Sequence, residues 1–204
     1  MTHPDAIIKK VWSVCKAKLM LEPVTVVASW ILDEVTATPS TNTVQETSAE
    51  DLVKIAVLTY DAVKQFGVEP RIAMLSYSNF GASKGAEAEK VREAVKILHE
   101  KYPHICVDGE IQGNFAVNTK LRMSKFPFTK LGDQQTNTLI FPNLAAGNIA
   151  YKLIQEIGET EAIGPVLIGM KKSVHVLQLG SSVREIVNMA TIAVVDAQLK
   201  QSEL

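Results

Sequence analysis

Residues 76–85 read Ser-Tyr-Ser-Asn-Phe-Gly-Ala-Ser-Lys-Gly. Hydroxyls at Ser76 and Ser78, the amide of Asn79 and the flexible backbone at Gly81 lie on one loop that opens a helical pattern. A helix start presents unpaired N–H groups and a partial positive charge, which suits a phosphate or another anion. The loop carries neither GxxxxGK[ST] nor GxGxxG, so it is not a Walker or a dinucleotide loop. A polar loop with ordinary helix capping uses the same residues, and both readings stand.

Asp108 and Glu110 flank Gly109 just after an apolar run. Paired carboxylates can serve as acid and base or hold a metal. No third carboxylate is close in sequence, and no CxxC spacing occurs, so no metal site is expected. Bonding to neighbouring loop amides is the competing role. Asn143, Gly147 and Asn148 mark a passage from strand to helix. Asn143 suits a helix cap, and Gly147 allows a ligand or another backbone to come close. His175 lies in the apolar run Val174-His-Val-Leu177, where a packed core imidazole is the plainer reading, and no Ser-His-Asp arrangement can be assembled around it. Ser182 and Glu185 have the S-x-x-E spacing of a capping box.

The elements that would position these residues follow from apolar periodicity. Helical spacing covers 5–19, with Cys15 on its apolar side. It appears again from Ser48, where Ser48 and Asp51 form a capping box, to Phe66, and Gly67 ends that helix. Further helices are expected at 86–98, 112–123, 145–157 and 183–199. Short apolar strands are expected at 24–32, 71–75, 105–107, 138–141, 164–168 and 174–177. Residues 36–47 form a polar loop, and 108–110 a second one. Alternating apolar strands and helices imply an α/β fold, a mostly parallel sheet with helices on both faces. Ligands in such folds sit at the carboxyl ends of the strands, which selects the loops after residues 75, 107, 142 and 168.

Composition limits the function. The 204 residues are 47% hydrophobic and 21% charged, with a formal net charge of −1. That excludes a disordered chain and offers no concentrated basic field for nucleic acid or an anionic membrane. The two cysteines, Cys15 and Cys106, sit in apolar runs and read as small core residues. No apolar run reaches transmembrane length and no signal-peptide core is evident, so a cytoplasmic location is expected.

Several ordered segments together resemble the phosphotransacetylase family: Arg71-Ile-Ala-Met-Leu-Ser76, Lys90-Val-Arg-Glu-Ala94, Val107-Asp-Gly-Glu-Ile-Gln112, Leu139-Ile-Phe-Pro-Asn-Leu144, Ala146-Gly-Asn-Ile-Ala-Tyr-Lys-Leu153 and Ile163-Gly-Pro-Val-Leu-Ile-Gly169. The stretches Ser76-Tyr-Ser-Asn-Phe-Gly81, Val174-His-Val-Leu-Gln178, Ile186-Val-Asn-Met-Ala190 and Val194-Val-Asp-Ala-Gln198 look like the branch fused to the C-terminal end of bacterial malic enzymes. The likeness covers roughly 48–198. Residues 1–47 are left unplaced as an N-terminal helix, strand and loop, and 48–204 form the family-like domain.

The resemblance implies a three-layer, two-lobed fold of the phosphotransacetylase and isocitrate-dehydrogenase type, with the first lobe incomplete. It implies an acyl-coenzyme A, acetyl-coenzyme A above all, as ligand or effector, with no other cofactor. The ligand would lie beside Ser76, Ser78, Asn79, Gly81, Asn143, Gly147, Asn148 and the turn Gln178-Leu179-Gly180 to Glu185. Active family members carry Ser-Arg-Gly in that turn and an Asp a few residues on. Here Leu179 replaces the arginine, and Glu185 is the nearest carboxylate and the only catalytic candidate. Arg184 stands where a polar or acidic residue is expected. Losing an anion clamp costs roughly a hundredfold in rate. The resemblance therefore favours a regulatory, oligomer-forming acyl-coenzyme A-binding domain, partnered in a longer chain by a malic-enzyme catalytic part. A phosphate acetyltransferase and a purely structural dimerisation lobe are the alternatives.

Overall fold

The computed structural model describes residues 26–28 (backbone only), 47–65, 67–157, 164–170, 172–177 and 179–202. The helix expected over 5–19, most of the loop over 36–47, and Cys15, Phe66, Lys171 and Gln178 lie outside the described residues. The described residues fall into two compact units, one running to Leu153 and the other starting at Ile154.

The first unit is built on a four-stranded, all-parallel sheet in the order β1-β4-β2-β3. The strands are β1 (Val26–Ala28), β2 (Arg71–Leu75), β3 (Cys106–Ile111) and β4 (Thr138–Ile140). Side chains alternate across β2 as a pleated strand requires. Ile72 and Met74 enter a core with Leu52, Ile55, Val91, Leu98 and Val107 from one side. Ala73 and Leu75 enter a second core with Ile111, Ala116, Leu131 and Leu139. Helices α1 (Ala49–Gln65) and α2 (Ala86–Lys101) supply the first core and α3 (Gly113–Val117) the second. Both faces of the sheet are covered, which is why its strands are apolar on both sides.

Local signals operate as expected at α1. The Ser48 backbone N–H donates to Asp51 Oδ2 at 3.1 Å and the Asp51 N–H donates to Ser48 Oγ at 3.1 Å. Gly67 closes the helix by donating to the Lys64 carbonyl at 2.8 Å.

The sheet corrects the loop expected at 108–110. These residues continue β3, and Asp108 and Glu110 are both buried. Two polar side chains around a glycine read as a turn, but each carboxylate finds donors from other segments, so burial is tolerated. Gly109 is required there. Its φ is +153°, and a Cβ would lie 2.6 Å from the Met74 carbonyl oxygen. The register slips at this point, with Met74 opposite Gly109 but Leu75 opposite Ile111. Glu110 is thus the extra residue of a bulge, a device that re-aims a side chain at a strand end.

The helix expected at 112–123 is two helices, α3 and α4 (Thr119–Lys125). Asn118 breaks it and caps the second half by accepting from the Leu121 N–H at 3.0 Å. A buried arginine, Arg122, ties this region together. It donates to the carbonyls of Ala116, Gly132 and Gln134 and to Thr136 Oγ1.

The helix α5 (Leu144–Ile157) follows β4, and α6 (Val183–Ser202) ends the described chain. The strands expected at 164–168 and 174–177 are absent from the described structure, where both segments are irregular. An apolar run supplies side chains for burial, whereas a strand also needs a neighbour's free edge. Among the described residues none pairs with them, and Val174, Val176 and Leu177 remain about half exposed.

Candidate functional site

The loop 76–85 leaves the carboxyl end of β2 and enters α2, and Glu110 holds it from beneath. The Glu110 carboxylate accepts from Ser78 Oγ at 2.9 Å, the Gly81 N–H at 2.8 Å, and Arg92 Nε and Nη2 at 3.1 and 3.0 Å. Its backbone carbonyl accepts from the Phe80 N–H at 2.8 Å. Arg92 also reaches the Ser83 carbonyl at 2.8 Å. Burial works to raise the Glu110 pKa, but the bonds from Arg92, Gly81 and Ser78 outweigh it, so the carboxyl is held below the ordinary glutamate value. The hydrogen bond to Glu110 raises Arg92 in turn. Glu110 is therefore an ionised anchor held by Arg92, Ser78 and Gly81, and it has no proton to give at neutral pH.

Much of the loop's polarity is spent in this way. Ser78 Oγ also accepts from the Ser83 N–H at 2.9 Å, the Asn79 carbonyl takes the Ala82 N–H at 3.0 Å, and Asn79 Oδ1 takes the Gln112 N–H at 2.8 Å. Ser76 is half-buried, and its Oγ accepts from the Ser78 N–H at 3.3 Å. Gly81 has φ +89°, and its N–H is the one bound to Glu110. At the start of α2, Gly85 is the N-cap and offers no side-chain cap.

Asp108 does for the other side of β3 what Glu110 does for the loop. Its Oδ2 accepts from Thr129 Oγ1 and from the Lys130 N–H, both at 2.7 Å, and its Oδ1 from the Gly109 N–H at 3.0 Å. His99 Nε2 lies 3.8 Å from Oδ1. The two carboxylates face different partners, so the pair that spacing made a candidate acid and base acts as two separate anchors.

At α5, Asn143 caps the helix by accepting from the Ala146 N–H at 2.9 Å. Gly147 is buried, whereas Asn148 is exposed and lines an open depression with Ala145, Ile149, Lys152 and Leu153.

The second unit is described by itself. Leu179 is fully exposed, and Gly180 turns the chain with φ +93°. The capping box at α6 is formed: the Ser182 N–H donates to Glu185 Oε2 at 2.6 Å and the Glu185 N–H donates to Ser182 Oγ at 3.2 Å. The His175 side chain is buried, with Nε2 3.5 Å from Asp196 Oδ2. Asp196 also takes Lys200 Nζ at 2.8 Å. Burial pushes the Asp196 pKa up, and bonds from Lys200 and Ser173 more than offset it, leaving it lowered. Serine, histidine and aspartate do gather here, a grouping that sequence distance concealed. The order is wrong for nucleophilic catalysis, because Asp196 is central and Ser173 Oγ donates to the Ala193 carbonyl at 2.8 Å.

The phosphate acetyl/butaryl transferase family model matches residues 9–194. The chain belongs to that family. The match starts well before Ser48, so it includes most of the N-terminal stretch that sequence reading left unplaced. The family domain is 41% identical over 151 residues to the NADP-dependent malic enzyme of Haemophilus influenzae, covering 74% of this chain and 20% of that protein. It is also 41% identical over 150 residues to the phosphate acetyltransferase of Bacillus subtilis, covering 73% of this chain and 46% of that protein. Among solved structures it is similar to a phosphotransacetylase from Streptococcus pyogenes, with a TM-score of 0.70 and 39% identity over 74% of this chain and 46% of that one. The chain thus spans less than half the length of these relatives. No helix among the described residues is long and apolar enough to cross a membrane.

Proposed function

We propose that this family domain binds an acyl-coenzyme A, acetyl-coenzyme A above all, as a regulatory and oligomer-forming module and does not turn it over. One observation carries the reading. Leu179, at the position where the resemblance expects an anion-clamping arginine, is a fully exposed apolar side chain. It can neither pair with phosphate nor steady a developing charge. Glu185 supports the same reading, since its carboxylate closes the start of α6. In a longer protein, an NADP-dependent, malate-oxidising part would be the partner that the module regulates, in the cytoplasm and as a homo-oligomer. A second reading keeps the transferase activity, because identity to a named phosphate acetyltransferase equals that to a malic enzyme.

Calorimetric titration with acetyl-coenzyme A, run beside an assay for acetyl transfer to phosphate, separates the two. Binding without turnover is the expected result. Turnover at a rate ordinary for enzymes, on the order of 1 s⁻¹ or more, would establish the second reading instead. Absence of binding with an intact dimer would leave a purely structural lobe.

A further inference from the structure

Four phenylalanines form one connected cluster at the end of β3. The centroids of Phe80 and Phe126, Phe80 and Phe128, and Phe115 and Phe126 are each 5.0 Å apart, and Phe126 and Phe128 are 6.1 Å apart. Phe80 and Phe115 pack onto the second core, while Phe128 is 68% exposed. Phe128 therefore sits at the rim of the cluster and turns most of its ring to water.

Both carboxylates of β3 serve this cluster. The Glu110 carboxylate takes the Gly81 N–H and its backbone carbonyl takes the Phe80 N–H, and Phe80 has the positive φ of 43° that side chains avoid. Asp108 takes Thr129 Oγ1 and the Lys130 N–H, fixing the turn that presents Phe128. The rings are therefore held from both sides by buried, hydrogen-bonded anchors, the arrangement that spares a ligand the cost of ordering its site.

The carboxylates of Asp108 and Glu110 are buried beneath the loop and the turn, and the exposed charges between residues 113 and 132 are all positive. Residues 113–132 contain Lys120, Arg122, Lys125 and Lys130 and no aspartate or glutamate. Arg122 is buried, and the three lysines are exposed. Lys125 and Lys130 bracket Phe126 and Phe128 in the chain. A single free ring beside lysines complements a flat base carrying phosphates, because every base has a face to stack and its phosphates meet the ammonium groups.

We propose that the Phe80–Phe126–Phe128 platform, with Lys125 and Lys130, takes the adenine-nucleotide end of the ligand. This rests on the acyl-coenzyme A reading and deepens it, placing the base against Phe128 and the phosphates toward the lysines. The test is calorimetry with acetyl-coenzyme A, free 3′-phosphoadenosine 5′-phosphate and 4′-phosphopantetheine, which lacks the nucleotide. Parent chain, Phe128→Ala and the double variant Lys125→Glu with Lys130→Glu are compared. These side chains are exposed, and thermal melting confirms that the variants fold.

Phe128→Ala should weaken acetyl-coenzyme A and the free nucleotide about tenfold and leave phosphopantetheine unchanged. The lysine variant should weaken both nucleotide ligands and flatten their salt dependence. Acetyl-coenzyme A that binds parent and variants alike overturns the platform and leaves the acyl-coenzyme A reading standing. Failure of the parent to bind either acetyl-coenzyme A or the free nucleotide overturns both. Loss of self-association in the variants with nucleotide affinity unchanged assigns the face to a second copy of the chain and overturns the platform as well.

Discussion

Arg92 on α2 and Glu110 in the β3 bulge lie 3.0 Å apart, and Glu110 is completely buried whereas Arg92 is about one-third exposed. Two nitrogens of one guanidinium meet the carboxylate, the forked geometry that makes arginine hard to replace by lysine. The pair joins helix, sheet and loop at one point, so 76–85 is shaped before any ligand arrives.

Glu110→Gln should cost about 2 kcal/mol at neutral pH, the scale for hydrogen bonds to a charged group. The sign with pH follows from the lowered pKa. The folded state prefers the ionised carboxyl, so its contribution is complete above the ordinary glutamate value of 4.5 and is lost as pH falls through the lower folded value. Urea unfolding of parent and variant should show a gap at pH 7 that closes in acid. A gap independent of pH would mean that the charge is not what matters.

Gly109→Ala should be among the most damaging single changes in the sheet. The added methyl group would lie 2.6 Å from the Met74 carbonyl oxygen, and the backbone there is already at φ +153°. A loss of about 3 kcal/mol is expected, at the upper end for overpacking. Denaturant midpoints would check it, and a loss under about 1 kcal/mol would show that the bulge can shift to make room.

Leu179→Arg tests where the anionic part of the ligand sits. The side chain is fully exposed on a turn, so the substitution should not disturb folding. If the ligand's charge lies there, coenzyme A should bind more tightly and with greater sensitivity to salt, because an exposed new charge pair is screened. Unchanged affinity in an otherwise binding-competent domain would place the ligand elsewhere.

Local signals were legible in the chain. The capping boxes at Ser48 and Ser182, the Asn143 cap and the Gly67 stop each need only residues within a few positions of one another, and all four formed. The strands 71–75 and 138–140 could be read from their apolar runs because both of their faces are buried. Family membership was legible for a different reason, since many ordered segments agreed at once.

What the sequence by itself determined, then, is the α/β class, the locally capped helix ends and the family. The tertiary structure alone decided the roles of the polar residues between them. Asp108 and Glu110 read as a loop because their partners, Thr129, Lys130, Ser78 and Arg92, are 18 to 32 positions away and no periodicity reports such a distance. Residues 174–177 read as a strand because they are apolar and β-branched, yet a ladder needs an edge that the segment cannot supply for itself. Burial follows from side-chain chemistry. Pairing depends on which other segment arrives beside it, and that is a property of the folded chain.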